Sequence, residues 1–203
     1  EISAQVIEGN VRVQVLDHGP GIGEDFRTRI FQKFAQADGR KLRLEIEPGT
    51  FLVANAGAVL SRVQDLVSTG TREFIKLDSG MTEILRPSLY GSQHPVHLYP
   101  AKDTGTSRDY VIVGHCCESG DLISCAPGEP ETLATRSLPE AAAGDLCVIG
   151  GAGAYCAGMS TKNYNSFPEA PEVLLRRDGK FSLIRRRQSL EQILQNEQPA
   201  EGL

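Results

Sequence analysis

The run GHCCESGD, residues 114–121, sets two thiols, Cys116 and Cys117, directly before the carboxylate of Glu118 and a Ser-Gly-Asp turn. A thiol can ligate a metal, bridge to a second thiol, or move a proton. With Cys125, Cys147 and Cys156 the count of cysteines is odd and no C-x-x-C pair occurs, so neither zinc-ligand spacing nor an even disulfide framework is visible. Neighbouring side chains on extended backbone point to opposite faces, so Cys116 and Cys117 should not bridge each other. One should face inward and the other a cleft. The plain alternative is that both are small buried hydrophobes. A thiol with an ordinary pKa of about 8.5 is mostly protonated at neutral pH, which makes it a usable proton donor.

Three further places carry unusual chemistry. Glu47 closes a strand-like run before Pro48-Gly49-Thr50, where Gly49 allows close approach of a ligand and the acid could pair with a protonated ring nitrogen. Arg86 and Tyr90 stand four residues apart, and a planar guanidinium fork is the usual reader of a carboxylate. Tyr155 ends the small-residue run Gly150-Gly151-Ala152-Gly153-Ala154, from which its phenol could reach a phosphate or a substrate. Lys76, Lys102 and Lys162 read as solvated surface charges, and Arg185, Arg186 and Arg187 as a solvated strand end. His94, His97 and His115 have no acid or cysteine at repeated ligand spacing, so turn or interface roles are expected and no metal site.

Composition excludes several classes of function. The 203 residues carry 26 acids against 21 bases, a net charge of -5, which offers no basic field for nucleic acid and no polybasic patch for a membrane surface. No run of 18 apolar residues occurs and the start lacks the pattern of a signal peptide, so a cytoplasmic protein is expected. At 40% hydrophobic content the chain can bury a core as one domain or two small ones.

The elements that must position these groups divide near residue 40. In residues 1–39, period-two alternation through Ile2, Ala4 and Val6, then Val11, Val13 and Val15, predicts an antiparallel hairpin turning at Glu8-Gly9-Asn10. A glycine-rich loop with Asp17, Gly19 and Gly21 follows, then a short helix with Phe26, Ile30, Phe31 and Phe34 on one face. Residues 40–203 run as many short β-like stretches broken by turns, among them TFLVANAGAVLSRVQDLV, EFIKLDSG, DYVIVGHCC and KFSLIRRR. The fold class expected is therefore mainly β, a sandwich or barrel. Only the end reads as helix, with Ser189 as N-cap and Leu190, Ile193 and Leu194 on one face. The stretch from Pro127 to Pro139 is expected to be a surface loop.

Two resemblances attach to these motifs. VLDHGPGIGED and IFQKFAQAD resemble the glycine and phenylalanine boxes of the ATP-binding domain of sensor histidine kinases, in which Asp17, Gly19 and Gly21 would contact nucleotide. The upstream asparagine-bearing helix and the downstream phosphate loop of that family are missing, and without amides and a metal ligand for the phosphates the resemblance argues against ATP binding. The motifs IEPGTFLVANAG, DSGMTEILRPSLYGSQH, CCESGD, GAGAYCAGMSTKNYNS and PEVLL, in this order over residues 41–190, resemble the C-terminal half of the diaminopimelate decarboxylases.

That second resemblance implies a fold-type III pyridoxal-phosphate enzyme, in which a barrel holds the cofactor and a C-terminal β-domain completes the active site across a homodimer interface. It implies decarboxylation of a small diamino acid, meso-2,6-diaminopimelate, to L-lysine in lysine biosynthesis. It assigns Glu47 to the pyridine nitrogen, Gly49 and Tyr155 to the cofactor, Arg86 and Tyr90 to the retained carboxylate, Cys117 to proton donation and Glu118 to the distal ammonium. Thr50 stands where the family commonly has arginine. The barrel and the lysine that would hold the cofactor are not in the sequence, so the chain is expected to be inactive alone. A nucleotide-binding fragment and a non-catalytic dimerisation domain are the competing expectations.

Overall fold

The computed structural model describes residues 2–7 and 10–15, as backbone, and 49–200. The chain separates into two compact units, Glu1–Glu47 and Pro48–Leu203. In the first, β1 (Ile2–Ile7) and β2 (Asn10–Val15) pair antiparallel, with Ile2 opposite Val15 and Ile7 opposite Asn10. This is the expected hairpin. The expected helix around Phe26–Phe34 and the strand leading to Glu47 lie outside the described residues, as do Asp17, Gly19 and Gly21.

The second unit opens with a helix, α1 (Gly49–Val53), and a 3-10 turn at Ala54–Ala56 before β3 (Val59–Ser68). The start of the TFLVANAGAVLSRVQDLV run, Thr50 to Ala56, is therefore helical, and Gly49 begins a helix where a strand end was expected. The apolar run Phe51-Leu52-Val53 has no period-two alternation, and those three side chains are exposed. From β3 onward the alternation holds: Ser61 and Val63 are buried while Arg62 and Gln64 are not. β4 (Glu73–Leu77) repeats the pattern, burying Ile75 and Leu77 completely. Each such side chain contributes roughly 1.5–3 kcal/mol by leaving water.

A second short helix, α2 (Arg86–Tyr90), precedes β5 (Val96–Tyr99), β6 (Ser107–Val113), β7 (Cys125–Ala126), β8 (Glu129–Leu133), β9 (Arg136–Pro139) and β10 (Leu146–Ile149). Six of these form one sheet in the order β5-β10-β3-β4-β6-β9, and its two end strands, β5 and β9, return into contact with each other. The result is a nearly closed, barrel-like sheet around Val63, Ile75, Leu77, Ile112, Cys147 and Ile149. The expected loop between Pro127 and Pro139 is instead largely strand. The prolines are accommodated because β8 pairs only with β7, and β9 is the last strand of the sheet, so neither Pro130 nor Pro139 sits in a central strand.

Every pairing in the six-stranded sheet is antiparallel except β4 with β6, where Ile75 lies opposite Ile112 in parallel. Parallel neighbours need a crossover, here residues 78–106, and they end at the same edge of the sheet. The segment after β4, which leads to Arg86, and the segment after β6, which leads to Cys117, thus depart from a common end. Beyond β10 come a separate ribbon, β11 (Glu172–Leu175) with β12 (Phe181–Arg185), and α3 (Leu190–Leu194). Ser189 caps α3 as expected: its hydroxyl accepts from Gln192 N, and Gln192 returns a bond to the Ser189 amide. The apolar face of α3 stays largely open, with Leu190 and Leu194 exposed.

Candidate active site

At the end of β6 the chain turns on Asp121, which is only 2% exposed. Its Oδ1 accepts from Met81 N at 2.7 Å and its Oδ2 from Cys116 N at 2.9 Å. One buried carboxylate thereby ties the loop after β4 to the loop after β6. Gly80 and Gly114 flank it so closely that a side chain at either would collide with the carboxylate. The sequence showed Asp121 only as a turn residue; the available signal was a glycine at each strand end.

Beside this anchor the two thiols, which lie in a bend beyond β6 and not on extended backbone, differ in exposure. Cys116 is half-buried and its thiol is pushed up to about 12, first by desolvation and then by the Asp121 carboxylate. Cys117 is exposed and its amide donates to Asn165 Oδ1 at 2.9 Å. Glu118 is exposed too, and its Oε1 accepts from Gly120 N at 3.1 Å. Beside it, partial desolvation and then the Glu118 carboxylate push the Tyr164 phenol up. His115 stacks on Phe167 with ring centres 3.6 Å apart and an angle of 8° between the planes. Thr82 donates its one hydroxyl proton to Glu83 Oε2 at 2.6 Å, so it accepts from His115 Nε2 at 2.7 Å.

A second cluster gathers on α2. Arg86 begins this helix with Pro87 behind it, and Gly91 ends it in the left-handed region at φ 63°. The guanidinium carbon lies 5.6 Å from the Tyr90 ring centre and 5.8 Å from that of Tyr155. Two aromatic faces thus hold the cation. Among the described residues no carboxylate pairs with Arg86. Tyr90 is 53% and Tyr155 58% exposed.

Tyr155 owes its place to a rigid loop. Ala152 N donates to Gly57 O at 2.8 Å and Gly153 N to Ala54 O at 2.9 Å, which docks the loop on the turn after α1. The two glycines touch back to back: a Cβ on Gly57 would stand 2.7 Å from Gly153 Cα. His94, buried, donates from Nδ1 to Gly150 O at 2.9 Å, a turn-stabilising role of the kind expected. Tyr155 itself has φ 55°, a strained backbone for a residue with a side chain.

Cys117 with Glu118, and Arg86 with Tyr90 and Tyr155, therefore form two clusters, and no hydrogen bond or ion pair joins them among the described residues. Glu47 lies outside the described residues. Among the described residues nothing lies within 4 Å of where a side chain at Gly49 would start. Lys76 and Lys102 are exposed; Lys162 pairs with Glu169 at 3.0 Å. Of the expected solvated strand end, Arg186 and Arg187 are exposed, while Arg185 is half-buried and pairs with Glu172 at 2.9 Å and Glu169 at 3.5 Å. Among the described residues no group of three or more His, Cys, Asp or Glu could hold a metal, and no helix is long and apolar enough to cross a membrane.

The family model described as the C-terminal sheet domain of the pyridoxal-dependent decarboxylases matches residues 13–153, beginning inside the segment with kinase-like motifs. A diaminopimelate decarboxylase of Escherichia coli K12 is 41% identical over 169 residues, 80% of this chain and 39% of the relative. One from Neisseria meningitidis serogroup B is 38% identical over 205 residues, 97% of this chain and 46% of the relative. The chain thus spans about two fifths of the length of these curated relatives. A crystal structure of diaminopimelate decarboxylase superposes with a TM-score of 0.68 at 41% identity, covering 77% of this chain and 37% of that one. The enzyme from M. jannaschii superposes at 0.64 with 27% identity over 75% of this chain and 32% of that one. This nearly closed sheet, matched in sequence over most of the chain, belongs to the pyridoxal-dependent decarboxylases as their C-terminal sheet domain.

Proposed function

We propose that this chain forms part of a diaminopimelate decarboxylase, which removes one carboxyl group of meso-2,6-diaminopimelate as carbon dioxide and yields L-lysine. The observation that carries this reading is Arg86, a guanidinium braced by two tyrosine rings and free of any carboxylate among the described residues. A planar fork held this way is ready for an incoming carboxylate, the one the product keeps. Tyr90 shares that contact from one turn along α2. In the second cluster Cys117 supplies the proton: its S–H donates to the carbon left with an electron pair when the carboxyl departs, and a new C–H bond replaces the broken C–C bond. Glu118 receives the ammonium at the far end of the substrate.

Pyridoxal phosphate, when bound, supplies the electron-withdrawing ring that makes loss of the carboxyl feasible. The residues present fit one edge of such a group. Tyr155, exposed on a loop that backbone bonds pin to the turn after α1, can donate its phenol to a phosphate. Glu47 and Gly49 would stand at the ring side, with Glu47 keeping the pyridine nitrogen protonated. Two unjoined clusters on one chain support a homodimer in which each active site draws on both subunits. Five free cysteines agree with a reducing cytoplasmic setting.

The test is the holoenzyme, this chain joined to a cofactor-loaded barrel half, supplied with meso-diaminopimelate in deuterated water. L-Lysine with one deuterium of single configuration is the expected product; Cys117→Ala should slow turnover or scramble that configuration, and Arg86→Lys should raise KM. A Cys117→Ala enzyme as fast and as faithful as the parent removes the proton-donor assignment.

A further inference from the structure

We infer that residues 163–167 act as a clamp that aims the Cys117–Glu118 pair, with Asn165 as the positioning residue for Cys117. This rests on the reading of Cys117 as proton donor. The two segments meet in opposite directions, with Asn165 on the amide of Cys117 and Phe167 on the ring of His115. Two contacts two residues apart fix a loop better than one. With its amide held at 2.9 Å, the backbone at Cys117 is set and only the rotation of the thiol remains free.

The clamp is built against local preference. Asn163, Asn165 and Ser166 all have left-handed backbone, at φ 60°, 50° and 63°. Such residues cost of order 1–3 kcal/mol each, least for asparagine, and persist only where the surroundings impose them. Asn163 Nδ2 donates to Phe167 O at 3.0 Å and also to Gln188 Oε1. Gln188 Oε1 in turn accepts from Glu169 N at 3.0 Å, and Glu169 pairs with Lys162 and Arg185. The segment between Lys162 and Glu169 is thus stapled at both ends, leaving Asn165 Oδ1 to face the amide.

Stability alone does not call for this bond. Asn165 and Cys117 are both exposed, so water could satisfy the Cys117 amide at little cost. What water cannot do is hold the thiol in one place. A displacement of about 1 Å at a reacting group can lower a rate by about a hundredfold. An exposed bond made by a strained residue is therefore better accounted for by aim than by stability.

The experiment compares the parent with Asn165→Ala and Asn165→Asp, the second keeping the acceptor oxygen. In the intact chain, amide hydrogen exchange at Cys117 should be protected in the parent and in Asn165→Asp, and should approach the unprotected rate in Asn165→Ala, with the global unfolding free energy lowered by no more than the ~1–2 kcal/mol that a left-handed alanine costs. In the holoenzyme, Asn165→Ala should lower kcat about tenfold to a hundredfold with KM within about twofold, and should scramble the deuterium configuration. Asn165→Asp should restore most of both. Unaltered exchange at Cys117, or an unaltered kcat and configuration in Asn165→Ala, overturns the inference. If the parent holoenzyme makes no lysine, the functional reading fails, and the exchange rates alone then decide whether the clamp exists.

Discussion

Replacing Asp121 with asparagine changes one atom and should loosen both loops at the rim of the sheet. The parent carboxylate accepts from Met81 N and Cys116 N, one on each oxygen, at 2.7 and 2.9 Å, in a site closed to water. Asparagine keeps one acceptor and turns an amino group toward the other N–H, so one bond is lost and two donors face each other. A hydrogen bond to a charged group contributes about 1.5–3 kcal/mol, and a buried unsatisfied donor adds to the loss, so Asp121→Asn should cost about 2–4 kcal/mol. For a chain of this size each kcal/mol moves Tm by about 2–4 °C, which predicts a fall of about 5–15 °C in thermal unfolding followed by circular dichroism at pH 7. Because the group is buried, added salt should leave the difference in place. A Tm within about 2 °C of the parent would refute the idea that this carboxylate joins the two loops.

Three further outcomes follow from the structure. Cys116 and Cys147, both pushed up to about 12 with desolvation the main cause, should resist iodoacetamide at pH 8 while Cys117 is alkylated, as read by peptide mass mapping. Because those thiols bind their protons more tightly folded than unfolded, they favour folding below the ordinary thiol pKa of about 8.5; that contribution fades as pH climbs toward 12, so the urea midpoint should drop across that range. Equal labelling of Cys116 and Cys117 would contradict the first point. Gly57→Ala should destabilise the domain by about 1–3 kcal/mol, because its Cβ meets backbone at Gly153 and neither side can rotate away; an unchanged urea midpoint would mean that the glycine contact yields freely.

How far the fold could be read depended on whether its cause was local. The alternation of β4, with Ile75 and Leu77 inward and Lys76 outward, is a period written in adjacent residues. The capping pair Ser189 and Gln192 is likewise three residues wide. Phe51, Leu52 and Val53 misled because an apolar run without alternation fits helix or strand alike. Pro130 and Pro139 misled because whether a strand is central or an edge is a property of the sheet, and no local pattern encodes it. Among the candidate site residues, Arg86, Tyr90 and Tyr155 announced their chemistry by type, and the structure brings them together. Asp121 and Asn165 stayed hidden because the groups they hold, at Met81 and Cys117, lie 40 and 48 residues away.

The single parallel pairing, β4 with β6, also governs the order in which the rim can take shape. Glu73 must find Tyr110, and β3 must find β10 with Val59 opposite Ile149, before the loops bearing Arg86 and Cys117 share an end. Such distant closures lose chain entropy before any contact returns it, which makes them slow steps in folding. Among the described residues no single hairpin or helix brings Arg86 and Cys117 to a common end. The thiol and the guanidinium become neighbours of one edge only when the sheet is nearly closed, so functional geometry in this domain arrives late and as a unit.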